Sequence, residues 1–334
     1  MPESTEGRVA VYIDFDNIVI SRYSQTHGGG RRKTELLRDI TSDALRDDPA
    51  IAGKMAEARV DLGAILDYAS SFGTVAIARA YADWAVPVNA SYQDQLVGRA
   101  VDLVQMFPTV QSMKNGADIR MSVDVVEDLF RLPELTHVVI VSGDSDFIAL
   151  AQRCRRLGRY VVGIGVAGGT SKALNAACNE YKDYDGLPGL DSNGDQGETD
   201  GRAARASGTT PAATSADAGA PAAKKQPSQG ARSTEGKKGT ATAGTTAAKP
   251  AELRAATSLL RRALELGQSK DDVDWVPSSG VKTQMLRMDP TFQEKPLGYA
   301  TFTDFLKSRG NVVELREEGQ QRFVRLREPK DAAN

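Results

Sequence analysis

Between Asp191 and Pro250 the chain contains not one Val, Leu, Ile, Phe, Met, Trp or Tyr. A segment of Ala, Gly, Thr, Ser, Pro and scattered charge cannot bury enough apolar surface to offset the entropy of ordering it. It reads as a disordered linker over residues 188–250, and the consequence for folding is severe. Whatever core this chain builds, it must build twice, in residues 8–187 and again in 251–328. The 334 residues, 40% of them apolar, suffice for both.

A formal net charge of -2 and a pI near 5.9 argue against a polycation that coats nucleic acid unaided, so any phosphate partner must be held locally. The acidic excess lies before the linker, where 25 acidic residues face 20 basic ones. Cys154 and Cys178 are the only cysteines, each in a helical pattern, which implies neither a disulfide framework nor a zinc site. The polar start MPESTEGR, and the lack of an apolar run near the ~20 residues that cross a bilayer, predict a soluble protein of a reducing cytoplasm.

Residues 8–190 alternate strand and helix signals. RVAVYIDF, TVAIARAYA, TVQSMK, HVVIVS and RYVVGIGV read as strands. TELLRDITSDAL, KMAEARVDLGAILDYASSF, YQDQLVGRAVDLVQMF, ADIRMSVDVVEDLFRL and DFIALAQRCRRL read as helices. That order predicts an α/β fold, a mainly parallel sheet covered by helices on both faces, with ligands held outside the carboxyl ends of the strands.

The carboxylates fall at that edge. Asp14 and Asp16 end the first strand in VYIDFDNI, Asp144 and Asp146 follow the fourth in VVIVSGDSDFIAL, and Asp118 opens the helix of KNGADIRM. Gathered acids repel and raise one another's pKa values, which is costly unless a cation neutralises them. Oxygen donors without His or Cys suit Mg²⁺ or Mn²⁺. The plainer alternative is helix capping, since Asp144, Ser145 and Asp118 could each satisfy free amides at a helix start. Asp124 is six helical steps from Asp118, about 120° around the axis, and belongs at most to an outer ring of contacts.

VYIDFDNI, KNGADIRMSVDVVEDL and HVVIVSGDSDFIAL resemble the three signature blocks of the NYN domain, and TSKALNAACNEY resembles that family's closing helix. The resemblance implies a PIN-like, Rossmannoid nuclease fold in which Asp14, Asp118, Asp144 and Asp146 hold a divalent metal and carry catalysis. It makes Asn17 the amide that positions a phosphate or carboxylate, with Asp16, Asp124, Ser142 and Ser145 as outer partners. A phosphodiester attacked by water gains negative charge, which bound Mg²⁺ or Mn²⁺ would stabilise while activating the water. Neither histidine is needed: His137 precedes a buried strand and His27 is expected in a loop.

Arg31, Arg32 and Lys33, after a triple glycine, could close over a phosphate backbone, and Lys172 is a further candidate RNA contact. GVAGGTSK lacks the spacing of a phosphate-binding P-loop, because Gly169 stands where Lys is required. Asp14-Phe15-Asp16 also resembles the nucleophile loop of haloacid-dehalogenase-like phosphatases, but Ile18 stands where that loop wants Thr or Val.

After the linker, ELRAATSLLRRALEL, SGVKTQMLRM and ATFTDFLKSR read as helices and NVVELREEGQQRFVRL as two strands, a small winged helix-turn-helix. LGYATFTDFL resembles the closing block of the OST-HTH, or LOTUS, domain. That likeness implies an RNA or protein partner, with Lys282, Arg287, Lys307, Arg309, Arg322 and Arg325 as candidate RNA contacts. Phe302, Phe305 and Leu306 read as core. Two functions follow as expectations: a metal-dependent ribonuclease whose tethered module selects RNA, or a non-catalytic RNA-binding adaptor that keeps the fold.

Overall fold

The computed structural model describes residues 6–28, 37–107, 116–168, 171–190, 250–271, 273–319 and 321–327. Expectations for Arg31, Arg32, Lys33, the strand TVQSMK and the linker over 191–249 lie outside them.

Six parallel strands form the first sheet: β1 (Arg8–Asp14), β2 (Thr74–Ala82), β3 (Asp102–Gln105), β4 (His137–Val141), β5 (Tyr160–Gly165) and β6 (Glu180–Asp183), in the order β3-β2-β1-β4-β5-β6. The order reverses between β1 and β4, which opens a crevice at their carboxyl ends. Twelve helices accompany the nine strands among the described residues. They are α1 (Phe15–His27), α2 (Ser42–Asp47), α3 (Pro49–Glu57), α4 (Leu62–Ser70), α5 (Pro87–Ala90), α6 (Gln93–Val97), α7 (Gly116–Arg131), α8 (Ile148–Arg156), α9 (Lys172–Ala177), α10 (Pro250–Asp271), α11 (Ser278–Met288) and α12 (Phe302–Ser308).

β1 shows how the two-layer cover arises. Its side chains alternate, so Val9, Val11 and Ile13 join a core with Ile65 and Leu66 of α4, while Ala10 and Tyr12 join one with Met121, Val125 and Leu129 of α7. Every residue from Val9 to Asp14 is buried, which a strand covered on both faces requires. Cys154 and Cys178 are free and buried in the second core.

Several boundaries differ from the sequence reading, and the single helix read over residues 54–72 is two, α3 and α4. The helix expected over residues 92–107 stops at Val97, Ala100 turns into the left-handed region at φ 55, and Asp102–Gln105 becomes the edge strand β3 against Arg79–Ala82. His27 is not in a loop but ends α1, where its Nε2 lies 2.8 Å from the Lys54 carbonyl oxygen. His137 opens β4 beside the rings of Phe72 and Tyr160, a structural placement as expected.

In the C-terminal unit, β7 (Val276–Pro277), β8 (Val313–Glu318) and β9 (Gln321–Leu326) pair antiparallel in the order β7-β9-β8 against three helices. Thr301 and Asp304 form a reciprocal capping box that starts α12 and aims Phe302, Phe305 and Leu306 into the core.

This unit is docked on the first. Leu259, Leu260, Ala263, Met285 and Met288 share one buried cluster with Leu62, Ile65 and Ala69. At its centre Asp67, 2% exposed, accepts Arg99 Nη1 at 2.7 Å and Arg262 Nη1 at 2.6 Å. Gln284 Nε2 donates to Ser70 Oγ at 2.8 Å, Arg287 Nε to Glu6 at 3.0 Å, and Lys270 to the Ser71 carbonyl while lying over the Phe72 ring. A free tether would leave the two heads independent; these contacts hold them together.

Candidate metal centre

The carboxyl edge is stitched from two loops. Ile13 pairs with Val141, so the residues that follow them, Asp14 and Ser142, emerge side by side. Ser142, fully buried, donates its hydroxyl to Asp14 Oδ2 at 3.0 Å and accepts the Asp144 backbone N–H at 3.1 Å. Asn17 ties the same loops from the other side, its Oδ1 accepting the Gly143 N–H at 3.1 Å while its own N–H donates to Asp14 Oδ1 at 3.4 Å. The strand-to-helix turn is closed by Asp144, whose Oδ1 accepts the Asp146 N–H at 3.0 Å. Asp144 therefore caps a short 3-10 turn, Ser145–Phe147, and still has a second carboxylate oxygen to offer.

Asp118, in the first turn of α7, completes a group: Asp118, Asp144 and Asp146 each present a carboxylate oxygen, all within 4.8 Å of one another. Oxygens sharing one ion at ~2.1–2.5 Å stand up to about 5 Å apart, so the span fits a divalent cation. Asp14 lies outside that trio but next to it. Burial, and then the Asp118 charge, push its carboxyl up to about 7. Asp118 itself is pushed up to about 6 by burial and by the charges of Asp144 and Asp146. Among the described residues no Lys or Arg forms an ion pair with Asp14, Asp118 or Asp144. The edge thus carries the electrostatic strain that a cation would relieve.

The outer residues divide. Asp16 accepts Asn89 Nδ2 at 2.7 Å, and burial raises its carboxyl pKa despite that bond. Nothing in the sequence marks Asn89, 73 residues away, as its partner. Asp124 is held by other groups: Arg120 Nε reaches both its oxygens at 3.0 Å, and Tyr81 donates to it at 3.1 Å. Ser145 is exposed on the turn, and Lys172 is exposed at the start of α9.

The cations of the C-terminal unit are largely engaged within the chain. Lys282 pairs with Glu294 at 2.7 Å, Lys307 with Glu317 at 3.6 Å, Arg322 with Glu317 at 3.4 Å and Arg325 with Glu314 at 2.7 Å. Arg287 is spent on the docking contact, and Arg309 reaches Tyr299 Oη at 3.3 Å. The guanidinium groups of Arg316 and Arg325 both lie over the Trp275 ring, 5.0 and 4.8 Å from its centroid. Among the described residues no helix is long and apolar enough to cross a membrane.

Comparison with known proteins adds to this geometry. A family model for the NYN domain, a nuclease-type fold, matches residues 8–185, and one for the OST-HTH/LOTUS domain, an RNA-binding module, matches residues 251–325. An uncharacterized protein of Methanocaldococcus jannaschii is 30% identical over 131 residues, which are 39% of this chain and 49% of that protein. The chain therefore spans about half the length of this curated relative. A crystal structure of a protein of unknown function from Vibrio parahaemolyticus superimposes with a TM-score of 0.38 at 20% identity, covering 55% of this chain and 96% of that one.

Proposed function

The chain belongs to the NYN-domain family, and from that premise we propose that it is a divalent-metal-dependent ribonuclease that hydrolyses RNA phosphodiesters, with RNA selection assisted by its C-terminal module. One observation carries the reading: the trio Asp118, Asp144 and Asp146, with Asp14 beside it, is assembled from three separate segments without a cationic partner for Asp14, Asp118 or Asp144 among the described residues. A group kept only for capping would not need three segments to converge.

In this reading Asp118, Asp144 and Asp146 hold Mg²⁺ or Mn²⁺. The bound ion would supply Lewis acidity to the scissile phosphate and its attacking water. Asp14 adds negative charge from beneath and, once ionised, strengthens the trio's grip. Ser142 and Asn17 hold the two loops in register, so the carboxylates need little rearrangement before they bind. Asp146, exposed at the lip, is placed to meet solvent and substrate first.

The test is cleavage of a labelled RNA of mixed structure by the purified chain with Mn²⁺, Mg²⁺ or EDTA. The expected result is metal-dependent cutting that is lost in Asp144→Asn. Equal trace cutting in wild type and variant would overturn the nuclease reading, and RNA binding without turnover would make the protein an adaptor. Cytoplasmic action on RNA is part of the same proposal.

A further inference from the structure

Helix α7 has more apolar residues than its buried face uses. Met121, Val125 and Leu129 pack toward the sheet, yet Ile119, Val123 and Phe130 are 59, 57 and 72% exposed. At ~100° per residue, positions 119, 123, 126 and 130 fall within about 60° of one another, on the side of the helix away from the sheet. An outward stripe of this kind is unusual beside an acidic site, where charged residues would be expected to cover the helix.

The stripe floors a shallow, open groove lined by Ile119, Ser122, Val123, Val126 and Glu127, which reaches Asp118 and Asp146. Whatever lies in it therefore lies beside the carboxylate trio. Its chemistry is an apolar floor rimmed by the Ser122 hydroxyl and the carboxylates of Asp118, Glu127 and Asp146, which matches a flat nucleobase with polar edges and does not match a bare phosphate. Farther along the same face the exposed Phe130 ring offers a stacking surface. Bases within a duplex are already stacked on their neighbours, so only an unpaired strand could use such a surface without the cost of unstacking.

We infer that the outward face of α7 is a base track for unpaired RNA, with Ile119, Val123 and Val126 holding the base next to the reacting phosphate and Phe130 stacking a more distant one. Ser122 would then read the edge of the first base, beside Glu127, whose carboxylate accepts Arg131 Nη1 at 2.9 Å. This inference rests on the proposed phosphodiester substrate, but it concerns binding and can be tested apart from turnover.

The experiment uses the full chain and a short RNA carrying 2-aminopurine, single-stranded or annealed to its complement. Binding is read by fluorescence with Ca²⁺ to slow cutting, and cleavage is read separately with Mn²⁺. Phe130→Ala and the pair Ile119→Ser with Val123→Ser alter exposed side chains and should leave the melting temperature unchanged. Each is expected to weaken single-strand binding about tenfold, a loss typical of removing one base platform, with little effect on the duplex. Wild-type affinity in both variants would overturn the track, even if cleavage by the wild type proved the nuclease reading correct. Loss of binding in the variants of a wild type that never cuts would support the track and sink catalysis alone. Conversion of a dimer to a monomer at unchanged RNA affinity would assign the face to a second copy and overturn the inference.

Discussion

Aspartates are sequestered in two regions of this protein, and the two sets are treated oppositely. Asp67, Asp124 and Asp128 are buried, and each has arginine: Arg99 and Arg262 on Asp67, Arg120 on Asp124, Arg79 on Asp128, with tyrosine hydroxyls from Tyr81 and Tyr12 completing the last two. At the carboxyl edge of the sheet, Asp14 is as deeply buried and Asp118 is half-buried, yet Asp14 receives only neutral donors and both face further acids. Burial alone therefore says little about an acid's role. The identity of its partners separates a structural carboxylate from one held ready for a cation.

The largest effect should come from breaking a compensated site. Asp67→Ala leaves two guanidinium groups facing each other in a buried contact, and is expected to cost ~3–5 kcal/mol. Calorimetry should show a lowered melting temperature, and protease digestion should release the C-terminal unit more readily. A melting temperature equal to wild type would mean the clamp contributes nothing.

The edge should respond in the opposite direction. The carboxyl of Asp14, ordinarily near 3.8, is pushed up to about 7, so the folded chain keeps a proton that the unfolded chain has lost across that range. Metal-free stability is then fully present below about pH 4 and falls as pH rises through about 7. Asp14→Asn should remove the Asp14 share of this slope, leaving that of Asp118, and raise metal-free stability by about 2–4 kcal/mol at pH 8, with little change at pH 4. Denaturant titrations in EDTA would reveal it, and a variant less stable than wild type at pH 8 would contradict the assignment. Added Mn²⁺ should stabilise the wild type increasingly from pH 5 to pH 8 and the variant much less.

On activity, Asp144→Asn should lower cleavage by about 100-fold or more, since even outer partners of metal ligands commonly cost 10–100-fold. The measurement is single-turnover cleavage at saturating Mn²⁺. The smallest effect is expected from Arg120→Ala, whose guanidinium is mostly exposed while Tyr81 still donates to Asp124: a melting temperature close to wild type and no change in metal dependence. A loss of metal affinity in that variant would return Asp124 to the metal site.

Much of the edge was legible because a parallel sheet sends every strand's carboxyl end the same way, so residues in three distant segments could be assigned to one place without coordinates. Asp124 was legible only by exclusion: helical spacing turned it away from Asp118 but could not say that Arg120 and Tyr81 take it. The span 92–107 misled because Leu96, Val97, Val101, Leu103 and Val104 fit a helical period as well as they fit a helix, turn and strand, and only the backbone at Ala100 decides between them. Docking of the C-terminal unit left no trace in local pattern. Asp67 in LGAILDYAS looks like a solvated charge on an amphipathic helix, and its partner Arg262 is 195 residues away. The outward stripe of α7 did carry a signal, an excess of apolar positions over those one face can bury.

If the chain cuts RNA as proposed, the docked C-terminal unit would serve as a ruler. Were the two units joined by the linker alone, the interval between a captured stretch of RNA and the carboxylate edge would vary from one encounter to the next, and product lengths would scatter. With Arg262 clamped on Asp67, and Gln284 and Arg287 anchored beside it, that interval is set by folded protein. On the proposed ribonuclease reading, selection and cutting would share one frame of measurement, and fragment length would follow from the fold.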